Sequence, residues 1–174
     1  MHYAIALARQ RDLAALPAIE RNAARLLEGH APPSILAETT SVEDFAAAQS
    51  AGQLWVALAG DEPVGFAIVE MLDDGLPHLE EIDVDPPHGR RGLGARLVRA
   101  VCDWTAERGY AELTLTTYRA VPWNMPFYAR MGFEVVPAAE QRGALAAVVR
   151  YEAARGLDPA TRCVMRWRAG RGAA

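Results

Sequence analysis

The chain has 174 residues, 51% of them hydrophobic, which is enough to build one domain around a real core. A formal charge of −4 excludes a general nucleic-acid binder. No apolar run approaches the roughly 20 residues needed to span a bilayer. The two cysteines, Cys102 and Cys163, stand alone in apolar surroundings and read as buried free thiols in a reducing compartment. The opening MHYAIALARQRD meets charge too early for a secretory signal. A cytoplasmic protein with a single domain over 1–174 is expected, with neither nucleic acid nor membrane as partner.

In chain order, HYAIALAR (2–9) reads as a strand whose β-propensity is weakened by alanine. Asp12 is expected to cap a helix running through Leu27, with Pro17 early enough that its missing amide matters little. The stretch 28–40 holds two prolines and no clear period, and reads as loop. Ser41 with Asp44 three residues on resembles a capping box that opens a short helix over 42–52. QLWVALA and VGFAIVEML then pair across the turn GDEP, and HLEEIDVD is a further strand.

Residues 93–108 form the clearest helix. Leu93, Leu97, Val98, Val101, Cys102, Trp104 and Thr105 make one broad stripe, with Arg96, Arg99, Asp103 and Glu107 opposite. Gly109 is placed to end it. The strand AELTLTTY follows, then a short helix in PWNMPFYARM closed by Gly132, then the strand FEVVP. A helix near ALAAVVRYEAAR and a last strand, RCVMRWR, complete the chain. Strands come first in a meander and then alternate with helices, which predicts an α/β protein with a mixed sheet and helices on both faces.

The stretch VDPPHGRRGLGARLV (84–98) leads from a strand through glycines into that clearest helix. Freed N–H groups of a first helical turn, helped by the helix dipole, hold an anion such as phosphate. Glycine lets the ligand approach and supplies positive φ. Arg90 and Arg91 add fixed positive charge there, and residues 88–102 contain four arginines and no acid. A P-loop would need Lys-Ser or Lys-Thr where Ala95-Arg96 stand. A dinucleotide fingerprint would need glycine where Leu97 stands.

Together with PWNMPFYARMGF (122–133), the segment IDVDPPHGRRGLGARL resembles the GCN5-related N-acetyltransferase (GNAT) family, most strongly over 78–136. The resemblance implies a central, twisted, mostly antiparallel mixed sheet of six to seven strands. It also implies acetyl-coenzyme A as co-substrate. The motif's glycines are Gly92 and Gly94, its asparagine is Asn124 and its tyrosine is Tyr128. The motif's first position, usually Gln or Arg, is Gly89, with the arginines one and two places later. Residues expected along the cofactor are Ile82, Asp83 and Val84 on the strand, and Gly89, Arg90, Arg91, Gly92, Leu93, Gly94 and Ala95 at the diphosphate. Asn124, Phe127 and Tyr128 are expected beside the pantetheine and thiol.

The chemistry follows from residue types. A primary amine with a pKa near 10.4 is neutral in roughly one molecule in a few thousand at pH 7, so something must take its proton. In HLEEIDVD, Glu80 shares a face with Ile82 and Val84, and Glu81 shares the other with Asp83. Glu80 is favoured as that base because similar acetyltransferases often carry a strand glutamate at its position, with Glu81 second and His78 third. A backbone N–H near Val84 suits the developing oxyanion. Tyr128 matches the family's acid for the leaving thiolate. No histidine or cysteine set has metal-ligand spacing, so no metal is expected. Direct transfer in a ternary complex to a small-molecule amine is expected. The acceptor would enter near residues 25–41, and a homodimer is one assembly such proteins adopt. The alternative is a non-catalytic acyl-coenzyme A sensor or regulatory module.

Overall fold

The computed structural model describes residues 2–170. Seven strands form one sheet in the order β1-β2-β3-β4-β5-β7-β6. They are β1 (Tyr3–Leu7), β2 (Leu54–Ala59), β3 (Glu62–Met71), β4 (Pro77–Val84), β5 (Glu112–Tyr118), β6 (Glu134–Val135) and β7 (Arg162–Arg168). The pairs β1–β2, β2–β3, β5–β7 and β6–β7 are antiparallel. β4 and β5 run parallel, in register at His78↔Thr114 and Leu79↔Leu115. The flanking helices are α1 (Leu16–Ala24), α2 (Pro33–Leu36), α3 (Val42–Ser50), α4 (Leu93–Glu107), α5 (Met125–Arg130) and α6 (Gly143–Ala154). This is the expected mixed, mostly antiparallel α/β sheet. The chain divides into two compact units, one holding the residues up to Glu70 with Glu80–Val101, the other Met71–Leu79 with the residues from Cys102 on.

In the first unit, Leu54–Leu58 of β2 are all buried, as a central strand covered on both faces requires. Phe45 of α3 and Phe66 of β3 are fully buried and meet edge to face, with ring centroids 5.2 Å apart. Leu13, Leu16 and Ile19 close the same cluster. The expected single helix over 12–27 is instead a 3-10 turn (Gln10–Ala15), α1, and a second 3-10 turn (Arg25–Leu27). Pro17 explains the break, since a proline is tolerated in the first turn of an α-helix and not farther in.

Asp12 does not occupy the cap position. Arg9 does, and Asp12 accepts its backbone N–H at 2.8 Å and its guanidinium at 2.9 and 3.0 Å. Burial opposes the Asp12 charge, but these bonds to Arg9 outweigh it and hold the carboxyl below its usual range. The expected loop 28–40 contains the one-turn helix α2, started by Pro33 at its first position. Ser41 caps α3 as expected: its hydroxyl accepts the Asp44 N–H at 3.0 Å and donates to the Asp44 carboxylate at 2.6 Å. The turn GDEP is shorter than read, because Glu62 and Pro63 already pair with Ala59 and Leu58.

In the second unit, β5 and β7 pair over seven residues, from Glu112↔Arg168 to Tyr118↔Arg162. Leu72, Val136, Leu145 and Val164 form its core, joined by Val148 and Val149 of α6. β6 is shorter than the expected FEVVP: Pro137 has no N–H to give a ladder, and the 3-10 turn of Ala138–Glu140 follows it. Helix α4 keeps its stripe, with Leu93, Leu97, Val98, Val101, Cys102 and Thr105 buried. Gly109, at φ +79°, terminates it.

Candidate active site

The glycine-rich segment lies wholly in the first unit. A 3-10 turn, Pro86–His88, ends β4 and is closed by the Gly89 N–H on the Pro86 carbonyl at 3.0 Å. Arg90 (φ +58°) and Gly92 (φ +75°) are both left-handed, and α4 starts at Leu93. The first helical bond runs from the Arg96 N–H to the Gly92 carbonyl at 3.1 Å. The N–H groups of Leu93, Gly94 and Ala95 therefore precede any intrahelical acceptor, which is the donor set that holds an anion. Arg90 and Arg91 are exposed beside it. The left-handed pose costs a side-chain-bearing residue about 1–2 kcal/mol, so Arg90 is held there by its surroundings.

Strand β1 supports this loop, which its sequence did not announce. The Tyr3 hydroxyl and His88 Nδ1 are 3.1 Å apart, and the Arg91 guanidinium lies 5.9 Å from the Tyr3 ring centroid. The Arg96 guanidinium donates to the Tyr3 carbonyl at 3.1 Å. The end of β4 is tied to α1 by the Asn22 amide donating to the Asp85 carboxylate at 3.0 Å.

On β4, Glu81, Ile82, Asp83 and Val84 are half-buried, and Glu80 is exposed. The Glu80 carboxyl is raised by the protein shielding it and by the charges of Glu70, Asp44 and Glu20. Glu81 and Asp83 project from the same face of β4, and each carboxyl acts on the other's proton affinity. Burial, then the Asp83 and Glu20 charges, push Glu81 well above the carboxylate range. Burial also pushes Asp83 up to about 7, against the opposing effect of Glu81. Two carboxyls that act on each other's proton affinity titrate together rather than singly. Such a pair can take up a further proton near neutrality.

Glu20 and Thr40 complete this group, and sequence reasoning missed both. Glu20 is only 5% exposed, and both its oxygens accept the Thr40 N–H at 2.9 Å. The signal was present: Glu20 sits on the buried stripe Leu16, Ile19, Ala23 of α1, where a carboxylate needs a partner.

In the second unit, Asn124 stands at the cap position of α5, and its carbonyl accepts the Phe127 and Tyr128 N–H groups at 2.9 and 3.1 Å. Tyr128 is 8% exposed. Its ring meets Phe127 and Phe133 edge to face, at 5.0 and 5.7 Å between centroids. The Gly132 turn (φ +89°) returns Phe133 onto the helix. His78 is buried at 3% exposure, with Nδ1 2.9 Å from the Thr114 hydroxyl. Burial lowers its pKa to about 4, so it is neutral at physiological pH. A cavity of about 230 Å³ is lined in part by Thr116, Gln141, Glu152, Arg162 and Cys163. Arg162 grips Glu152 at 2.7 and 3.2 Å and Thr116 at 3.0 Å.

The family model of the acetyltransferase (GNAT) family matches residues 21–133, a span that takes in the end of α1, Glu81 and Asp83, the glycine-rich loop and Tyr128. The chain belongs to that family. Among curated relatives it is 42% identical over 57 residues to mycothiol acetyltransferase of Rhodococcus erythropolis, covering 33% of this chain and 19% of that protein. It is 30% identical over 88 residues to N-acetyltransferase 8F1 of Rattus norvegicus, covering 48% of this chain and 40% of that one. The chain thus spans less than half the length of these relatives. Among solved structures, the PaiA N-acetyltransferase of Thermoplasma acidophilum in complex with coenzyme A superimposes with a TM-score of 0.74 at 17% identity, covering 97% of this chain and 99% of that one. That likeness is one of fold.

Proposed function

We propose that this chain is an acetyl-coenzyme A-dependent N-acetyltransferase that acetylates the primary amine of a small molecule by direct attack in a ternary complex. The observation that carries the reading is the strand–loop–helix unit of 84–98, where Gly92 at φ +75° opens onto the bare first turn of α4 beside two exposed arginines. Those groups fit a diphosphate: they supply donors, positive charge and room, since a Cβ on Gly92 would meet nothing within 4 Å. Gly89, Arg90, Arg91, Gly92, Leu93, Gly94 and Ala95 would hold the diphosphate of acetyl-coenzyme A. Ile82, Asp83 and Val84 with Asn124 and Phe127 would line the rest. When bound, the co-substrate supplies an acyl carbon already activated as a thioester.

Within this reading the Glu81–Asp83 pair, rather than Glu80, takes the proton of the acceptor's ammonium group. What favours the pair is the place of both carboxyls on one face of β4 and, at Asp83, a proton affinity near neutrality, where a general base works best. Tyr128 gives its phenolic proton to the leaving sulfur, its ring fixed by Phe127 and Phe133. The two buried free thiols suit a reducing compartment, and we place the protein in the cytoplasm on that ground. Among the described residues no helix is long and apolar enough to cross a membrane.

The deciding experiment is an amine panel with acetyl-coenzyme A, reading free thiol release, on the wild type and Tyr128→Phe. An enzyme of this kind releases thiol with at least one amine, and Tyr128→Phe loses about 10²–10⁴ in kcat while still binding coenzyme A. Coenzyme A binding without thiol release from any amine points to a sensor module instead. Unchanged turnover in Tyr128→Phe removes the role given to that phenol.

A further inference from the structure

The acyl-transfer reading leaves Glu20 without a task, although it is a nearly fully buried carboxylate on a helix otherwise packed with Leu16, Ile19 and Ala23. Its hydrogen bonds are specific. The Thr40 N–H lies 2.9 Å from each Glu20 oxygen, and the Thr40 hydroxyl lies 3.2 Å from Oε1. The same hydroxyl is 3.5 Å from Oε2 of Glu81. Thr40 therefore stands between a carboxylate on α1 and one on β4, and it lies in the segment expected to border the acceptor.

We propose that Glu20, acting through Thr40, is a positioning residue that holds Glu81 in the orientation the Glu81–Asp83 pair needs to take the acceptor's proton. This rests on the acetyltransferase reading above and deepens it. A hydroxyl has a single proton. Given to Glu20, it leaves the Thr40 oxygen lone pairs turned toward Glu81, so a protonated Glu81 is accepted and held on that side. Bidentate anchoring of the Thr40 amide also fixes the backbone from which the hydroxyl projects. The proton moves from the acceptor nitrogen to a carboxylate oxygen of the Glu81–Asp83 pair, and Glu20 itself exchanges none.

The titratable groups that act on Glu81 are Glu20 from α1 and Glu80 and Asp83 from β4, while Glu70 from β3, Asp44 from α3 and Glu20 act on Glu80. All are acids. Glu20 is the member that raises the proton affinity of each of the three β4 carboxylates. Removing its charge while keeping an acceptor oxygen for Thr40 separates the electrostatic part from the geometric part.

The test uses the full chain with Glu20→Gln, Thr40→Val and Thr40→Ser. Carboxyl-carbon NMR titration without substrates is read beside the pH profile of kcat/KM with acetyl-coenzyme A and the best amine of the panel. Glu20→Gln should move the Glu81 and Asp83 titrations, and the acid limb of the profile, to lower pH by about one unit. Thr40→Val should lower kcat about tenfold with the coenzyme A affinity unchanged, and Thr40→Ser should restore it. Titrations and profile unmoved in a folded Glu20→Gln overturn the proposal, as does wild-type kcat in Thr40→Val if Glu20→Gln does not fold. If no amine is acetylated, the acetyltransferase reading fails by itself, and the NMR arm still decides whether Glu20 governs the pair.

Discussion

A Cβ built on Gly65 of β3 would lie 2.7 Å from the carbonyl oxygen of Asp83 on β4, with Val84 Cα at 3.3 Å. The backbones of the two strands thus meet with no room for a methyl group, at the residue whose carboxyl pairs with Glu81. Gly65→Ala must push β4 aside, since the obstacle is backbone. Overpacking of this kind costs about 1–3 kcal/mol, or roughly 2–10 °C in Tm for a chain of this size. Calorimetry should show that loss together with a fall in turnover. Wild-type Tm and turnover in the variant would falsify the close approach.

Gly92 offers the complementary case, because open space surrounds its would-be Cβ and only its φ of +75° demands glycine. Gly92→Ala should weaken coenzyme A binding about tenfold, in line with the 1–2 kcal/mol cost of the left-handed pose. Gly92→Asn should recover part of it, since asparagine tolerates that region better. Titration calorimetry of the three proteins supplies the comparison, and equal affinities would remove the loop from the cofactor site.

The proton affinity of the carboxylate pair sets a direction for activity. Asp83 is pushed up to about 7 by burial, so the rate should rise with pH through that value as the pair gives up its second proton. Asp83→Asn should cut kcat by about 10²–10⁴ and Glu80→Gln by less than tenfold. The reverse order would return the base to Glu80. For stability the sign is opposite to that for rate. A carboxyl raised in the folded state favours folding fully below its unfolded value, and that contribution is lost as pH climbs through about 7. Asp83→Asn should therefore flatten the decline in Tm between pH 4 and 7.

His78 contributes a slope of the other sign. Its pKa falls from 6.5 to about 4 on folding, so the folded state binds fewer protons than the unfolded one between those values. Stability from this residue is present above about 6.5 and lost as pH drops toward 4, a difference of about 3 kcal/mol at most. His78→Gln, which keeps a group able to bond the Thr114 hydroxyl, should flatten denaturation midpoints across that window. An unchanged slope would mean that His78 is not held neutral.

Much of the local order was legible in the residues alone, because it arises within a turn or two of chain. The stripe of α4, the Ser41 cap, the Gly109 stop and the bounds of β7 follow from periodicity and from the few residues that start or end a helix. The glycine-rich loop and PWNMPFYARMGF were legible for the same reason, since each is a contiguous unit whose chemistry is written in adjacent letters. Pairings between distant residues were not. Asp12 looked like a cap because a free acid before a helix usually is one, and the competing arginine three residues earlier decides otherwise only when its side chain folds back.

The sequence by itself determined the class of fold and the glycine-rich strand–loop–helix unit, where each residue's neighbours in the chain are also its partners. The tertiary structure decided which carboxylates work together. Thr40 and Glu81 are 41 positions apart, and Tyr3 and His88 are 85 apart, so nothing local couples them. The proton affinity of a carboxyl depends on burial and on charges a few ångströms away. Those distances exist only once α1 and the segment before α3 have packed beside β4.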